Sequence, residues 1–535
     1  MEKLLKGAAI LSISGIIIKI MGAFFRIPLT NWVGGDGLSY YSSTYIVYGL
    51  ILTIATAGFP TAISRMVAER TAVNDYQGVK KVIKVSLGTM TVLGLVGFLA
   101  MFFGADYIAT ELMGNPGAKM SMQAIAPAVL IVPILSVYRG YFQGQQIMLP
   151  SALSQLVEQL FRVVFGLFLA YRFLPLGNET VSAGATAGCS IGAFFGLVAV
   201  YFMYLHASKK KTLELRYDDY QGPEMSTKEL VKEILEITIP ITLGACILPM
   251  VNTIDAMIVM RRLQATGWSY AEAKILWGRL GGYCDSLIAI PSVFTSAITI
   301  GVLPMIARYF KLGDKTLTEY NSKFSLRLTM MVASPCAVGI FTLAYPLLKT
   351  LYSNPNVAQE VIEAVPTLRI LCVTIILAAT STTLGAVLQA VGKQIIPVRN
   401  LLVGAAFKVL VTFVLVGIPA LNVNGAPFGS IACDLTIVIL NILAVRKHLG
   451  FGFDPVNTYI KPLLSSVAMG IVVYGVYRLT GMFVSSMLIS AGISVVAGVV
   501  CYAVLVIVTN MITKEELLAL PKGDKLVKVL GRFMK

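Results

Sequence analysis

Five basic side chains lie inside stretches of the sequence that otherwise consist almost wholly of apolar residues: Lys19, Arg26, Arg162, Arg369 and Lys408. A charge near the centre of a bilayer costs roughly 2.5–3.5 kcal/mol even on the lenient insertion scale. Such residues are therefore expected to face protein or a wet cavity. A cavity lined with positive charge suits an anionic cargo. Lys19 and Arg26 are seven residues apart, two helical turns, so they share one helix face. Arginine forks onto phosphate through two N–H groups, and lysine acts as a point charge. Together they offer contacts at two depths for a phosphate-bearing headgroup. The alternative is that Arg26 snorkels to the outer surface and Lys19 pairs with an acid elsewhere.

Other residues fit the same chemistry less specifically. Glu158 and Arg162 stand four apart, which suits either a self-neutralising helix pair or a cavity role. Arg139 opens the run Arg139-Gly140-Tyr141-Phe142-Gln143-Gly144, where it is a gate contact or an anchor at the cytoplasmic end of its span. Lys408 is the lone charge of its apolar stretch, with Asp255 and Asp434 as candidate partners for a protonation-linked latch. Asp285 lies near the outer end of its span, and Arg369 reads as a snorkelling anchor. Pro28, just after Arg26, is expected to bend the outer end of the first helix.

The elements that must hold these residues are membrane helices. The 535 residues are 56% hydrophobic and only 13% charged, against about 25% charged in soluble domains. Windows of about 20 apolar residues give fourteen spans, the first two at 5–33 and 40–67 and the last two at 458–479 and 482–511. With the N-terminus in the cytoplasm, the outer segments hold only Lys119, Arg172, Arg261, Arg262, Lys274, Arg279, Lys349 and Arg478 of the 43 Lys and Arg. That bias matches the positive-inside rule with both termini cytoplasmic, and it accounts for the net charge of +16 without nucleic acid. Half of the outer charges fall in the loop 261–279, which breaks the rule and suggests an anionic contact there.

Landmarks repeat at a near-constant offset. Phe59-Pro60 with Arg65 recurs as Leu303-Pro304 with Arg308, and Gln143, Pro150 and Arg162 recur as Gln389, Pro397 and Lys408. The expected organisation is a first lobe of six helices (1–207), a cytoplasmic linker (208–233), a second lobe of six helices (234–448), two further helices (457–512) and an amphipathic cytoplasmic tail (513–535). Parallel repeats place a transporter's cargo site between the halves near the midplane. Ser226 and Glu229 form a capping-box pattern that starts the helix after the linker. The seven cysteines include no CxxC pair, and no metal site or enzyme motif is present.

The stretches 19–28, 58–65 and 139–162 carry a family resemblance. Lys19-Ile-Met-Gly-Ala-Phe-Phe-Arg26-Ile-Pro28, Gly58-Phe-Pro-Thr-Ala-Ile-Ser-Arg65 and Arg139-Gly-Tyr-Phe-Gln-Gly144 through Pro150 to Glu158 and Arg162 resemble the polysaccharide-biosynthesis flippases of the multidrug/oligosaccharidyl-lipid/polysaccharide (MOP) exporter superfamily. Within it they look like the stage V sporulation protein B and MurJ-type lipid II flippase group. The resemblance implies an all-α polytopic membrane protein of 14 transmembrane helices, with two six-helix lobes in a MATE-like V and two extra C-terminal helices. It implies a non-enzymatic flippase for an undecaprenyl-pyrophosphate-linked glycan, lipid II or a spore-cortex precursor, in the bacterial cytoplasmic membrane. The alternatives are a cation-coupled multidrug exporter of the same superfamily and a non-transporting scaffold for cell-wall enzymes. Implied partners are the lipid-linked oligosaccharide, anionic membrane lipids and cell-wall synthesis enzymes.

On this resemblance Lys19, Arg26, Arg139, Glu158, Arg162 and Asp285 are the substrate-binding candidates, and Asp255, Lys408 and Asp434 form an ion-coupling or latch set. No cofactor is expected beyond a coupling Na+ or H+. Two departures stand out. The family's basic residue on the second helix is replaced by Leu50-Ile51-Leu52. Lys408 falls where a sodium-binding member places a ligand, so a tethered ammonium takes the ion's place.

Overall fold

The computed structural model describes residues 2–211 and 225–512, and among these it is helical with no strand. Most of the linker and the whole expected amphipathic tail lie outside the described residues. The helices, in order, are α1 (Glu2–Thr56), α2 (Phe59–Ala72), α3 (Tyr76–Phe103), α4 (Ala105–Tyr107), α5 (Lys119–Gly144), α6 (Leu149–Arg172), α7 (Asn178–Lys211), α8 (Thr227–Ala265), α9 (Tyr270–Arg279) and α10 (Asp285–Lys311). They continue with α11 (Lys315–Thr342), α12 (Ala344–Leu351), α13 (Ala358–Ala390), α14 (Ile395–Val416), α15 (Gly425–Leu449), α16 (Lys461–Phe483) and α17 (Met487–Val508).

Thirteen helical stretches among the described residues are long and apolar enough to cross a membrane, so this is a multi-pass membrane protein. The first stretch, Ser14–Ala72, is 59 residues long. At 1.5 Å per residue it measures about 88 Å, enough for two crossings of a core about 30 Å thick. It holds the second expected span, 40–67, and the first, 5–33, from residue 14 on. The break between them is at Gly34 (φ 60°, ψ −165°), and Pro28 stays inside helix. The break thus falls six residues past Pro28. A left-handed φ is open to glycine at little cost, whereas a proline's lost hydrogen bond is tolerated in a packed membrane helix. A second interruption, at Ala57-Gly58, precedes Phe59-Pro60 at the start of α2.

Contacts divide the chain into two compact units, Met1–Gly282 and Tyr283 onward. In the first, α5 packs on α2, α3 and α7, and α6 lies along α1 and α7. Its core includes Ile63, Met66, Val82, Met90, Leu135 and Phe142, with Leu230 and Ile234 of α8. Ser226 caps α8: its hydroxyl accepts from the Glu229 N–H while the Glu229 carboxylate accepts from the Ser226 N–H at 2.7 Å. This helix, which the sequence places at the start of the second lobe, packs on α1, α2 and α3.

The second unit repeats the local plan of the first. Asp75 caps α3 and Asp314 caps α11, and each helix is 28 residues long. Each is followed by a short helix, a proline-led 3-10 turn (Pro116–Ala118 and Pro355–Val357) and a long helix. The packing pairs α3 with α5, α5 with α7 and α6 with α7 are matched by α11 with α13, α13 with α15 and α14 with α15. Beyond this plan, α16 packs on α11 and α17, and Val496, Val499, Val500 and Val504 of α17 stay exposed, as suits lipid-facing side chains.

Asp454 organises the turn into α16. Its carboxylate accepts from the Asn457 side chain and from the Val456 N–H. These bonds, the Asn457 side-chain bond first, hold its carboxyl below the ordinary value. A depressed carboxyl stabilises the fold above its unfolded pKa and loses that contribution as pH falls through the folded value. Hydrogen-exchange protection at Val456 and Asn457, relative to the intrinsic rate at each pH, is therefore expected to fall below about pH 4, and Asp454→Ala is expected to remove that change in protection.

Candidate functional site

The two cations of the first helix have different surroundings. Lys19 is exposed on α1, with no hydrogen bond or ion pair to any of the described residues. Arg26 is partly buried: its Nη2 donates to the Gly281 carbonyl oxygen, and its Nε is buried with no acceptor among the described residues. Shared helix face therefore does not mean shared role. Arg26 is engaged by backbone of its own unit, while the ammonium of Lys19 is open.

One turn above Lys19, α1 meets α6. A Cβ on Gly22 would lie 3.8 Å from the side-chain amide of Gln159, and one on Gly166 would lie 2.8 Å from the Phe25 ring. The two helices thus run parallel, and Arg162 is level with the segment between Gly22 and Phe25. Its guanidinium lies over the Tyr45 ring, 4.8 Å from the centroid. Tyr45 belongs to an aromatic column along α1: Phe25 to Tyr41 at 5.9 Å, Tyr41 stacked on Tyr45 at 4.6 Å, and Tyr45 edge-on to Tyr48 at 5.9 Å.

Glu158 does not neutralise Arg162. Its Oε2 accepts from Arg139 Nη2 at 2.8 Å, and Arg139 Nε donates to Ser154 Oγ at 2.9 Å. The pair is largely withdrawn from solvent, with side-chain exposures of 13% and 25%. The run beginning at Arg139 thus joins α5 to α6 by a fork that the i, i+4 spacing of Glu158 and Arg162 did not suggest. Removing one partner strands the other. In thermal unfolding, Glu158→Gln and Arg139→Gln are each expected to destabilise, with the double variant losing less than their sum by about 0.5–3 kcal/mol. Strict additivity would refute the pairing.

A second polar cluster was not legible as a site in the sequence. Asp36, two residues past the break in α1, forms an ion pair with Lys274 Nζ at 2.7 Å and accepts a hydrogen bond from Asn178 Nδ2 at 2.8 Å. Lys274 also donates to the Tyr40 hydroxyl at 3.0 Å and lies 5.4 Å from the Tyr40 and Tyr270 ring centres. Tyr270 donates to Asn115, whose amide reaches Ser43 at 3.1 Å. Next to this cluster α9 runs against α1 at backbone distance: a Cβ on Gly278 would fall 1.8 Å from the Gly35 carbonyl oxygen. The anion that the rule-breaking loop 261–279 suggested is, for Lys274, Asp36 of the same chain.

Two members of the latch set lie on neighbouring helices. Asp434 is on α15 and Lys408 on the adjoining α14, and Lys408 is the charge that acts on Asp434. Asp255 is buried on α8 in the first unit. Asp285 is exposed at the first turn of α10. Arg369 is exposed and lies 5.4 Å from the Phe341 ring, as an anchoring side chain does.

Residues 4–310 match the model of a family described as polysaccharide biosynthesis protein. The chain belongs to that family. Among curated proteins of similar sequence, the chain is 28% identical to the lipid II flippase MurJ of Bacillus subtilis (strain 168), covering 90% of each chain. It is 27% identical to the stage V sporulation protein B of the same organism, covering 98% of this chain and 99% of that one. Among solved structures, one titled lipid II flippase MurJ, inward closed conformation, aligns with a TM-score of 0.70 over 93% of this chain and 98% of that chain, at 16% identity. An inward-facing multidrug resistance MATE family transporter of the MOP superfamily aligns with a TM-score of 0.65 over 82% and 98%, also at 16% identity. The chain thus shares the fold of these two structures.

Proposed function

We propose that the protein is a flippase for an undecaprenyl-pyrophosphate-linked glycan, lipid II or a spore-cortex precursor, working by alternating access in the bacterial cytoplasmic membrane with both termini inside. The observation that carries this reading is Lys19: an exposed ammonium within a membrane-spanning helix, with no acid beside it among the described residues. Such a charge is costly in lipid and is offset by an anion that enters the membrane region together with an apolar chain. A polyprenyl diphosphate is such an anion. The relatives named as a lipid II flippase and a sporulation protein supply the cargo class.

Flipping makes and breaks no covalent bond. The protein's task is to replace water around the diphosphate and glycan while the lipid tail stays in the bilayer. Lys408 and Asp434 add a cation and an anion inside the second unit. In this reading the fixed ammonium does what a bound cation would do, and transport needs no sodium. Cell-wall enzymes that make the lipid-linked precursor and consume it are the functional neighbours.

Vesicles carrying the purified protein test cargo and coupling together. Labelled lipid II, a second undecaprenyl-linked glycan and a fluorescent organic cation would each be followed with and without sodium. A lipid-linked glycan is expected to cross, at equal rates in both salts, and the organic cation is not. Cation transport without lipid transport would replace this reading by that of a multidrug exporter.

A further inference from the structure

We infer that Arg162, held over Tyr45, is a second anion contact for the cargo and takes an oxygen of its phosphate groups beside Lys19. The inference rests on the flippase reading and adds a residue to it. Glu158, the carboxylate one turn away on α6, is engaged by Arg139, so Arg162 keeps its charge. No hydrogen bond satisfies its guanidinium among the described residues, yet none of its nitrogens is among the sealed, unpartnered atoms. The side chain is half-buried, so these nitrogens are not sealed off from an approaching ligand.

Magnitudes argue that Tyr45 is a platform and not a sufficient partner. A cation over an aromatic face gains about 0.5–2 kcal/mol, less than the roughly 2.5–3.5 kcal/mol cost of an intramembrane charge. Tyr41 and Tyr48 flank Tyr45 and fix its ring, which in turn holds the guanidinium plane. Preorganised in this way, arginine loses less freedom on meeting a phosphate.

Position supports the same role. Arg162 is level with α1 between Gly22 and Phe25. Along the helix axis it therefore stands about 4.5–9 Å beyond Lys19, a rise that two long side chains can close on one diphosphate. Arg26 is the less available cation, since its guanidinium holds the Gly281 carbonyl. Arg162 also places a charge on the Tyr45–Tyr48 segment, just before Leu50-Ile51-Leu52, where the family resemblance leads one to expect a basic side chain.

The test is binding to the full-length protein in phosphatidylcholine nanodiscs. Undecaprenyl pyrophosphate, inorganic pyrophosphate and phosphatidylglycerol serve as three separate probes, with Arg162→Gln, Arg162→Lys and Tyr45→Leu compared with wild type. Arg162→Gln is expected to weaken binding about 10- to 100-fold. Arg162→Lys should recover part of that loss, because it restores charge without the fork, and Tyr45→Leu should show a smaller loss. The probe whose affinity depends on Arg162 identifies the source of the phosphate. If wild type binds and Arg162→Gln, unfolding at an unchanged temperature, binds within twofold on all three probes, the inference is overturned and the flippase reading stands. If Arg162→Gln does not fold, equal affinity of Arg162→Lys and Tyr45→Leu to wild type on all three probes overturns it. If wild type binds none of the probes, both fail.

Discussion

Replacing Lys19 by Gln is expected to slow lipid headgroup exposure in reconstituted vesicles by on the order of 10- to 100-fold, the value of one charge-assisted contact to a phosphate. Lys19→Arg keeps the charge and is expected to retain most of the rate. The side chain is exposed and has no partner among the described residues, so its loss strands no buried group. The unfolding temperature of Lys19→Gln should accordingly match wild type. This separates the contact from a structural role: a variant that lost transport and stability together would point to packing, and one that lost neither would remove Lys19 from the cargo path.

The second large effect is structural. Gly278→Leu is expected to destabilise the first unit by about 3 kcal/mol, the upper end of the range for overpacking. Even a single added Cβ would lie 1.8 Å from the Gly35 carbonyl oxygen, and backbone on both sides leaves nothing flexible to yield. Lys274→Met removes one partner of the Asp36 pair, whose side chains are 17% and 29% exposed. A loss of about 1–3 kcal/mol is expected, between surface and buried pairs. Thermal unfolding in detergent reads both. A Gly278→Leu protein as stable as wild type would show that α9 does not lie against α1 at this distance.

Much of this architecture was legible because membrane physics writes it into composition. Long apolar windows survive without side-chain detail, and the helical spans follow from them. Ser226 and Glu229 were equally readable, since a capping box is local. The break at Gly34 was not read from the sequence, because Pro28 and Gly34 both interrupt helices in principle and only packing decides where the chain leaves the helix. Contacts between distant segments were hidden. Asp36 and Lys274 meet across more than two hundred residues, and only a rule-breaking loop charge and the cluster Gly34-Gly35-Asp36-Gly37 signalled them. The i, i+4 spacing of Glu158 and Arg162 suggested a pair, but Arg139 reaches Glu158 from a neighbouring helix.

The account stands or falls on movement of a lipid-linked glycan by this protein alone. The direct measurement is the initial rate at which the headgroup of labelled lipid II becomes accessible to a membrane-impermeant reagent in vesicles that contain only the purified protein and lipid. A rate well above that of protein-free vesicles, reduced by Lys19→Gln, is the expected result. A wild-type rate equal to that of the empty vesicles, with folded protein confirmed in the same preparation, would contradict it.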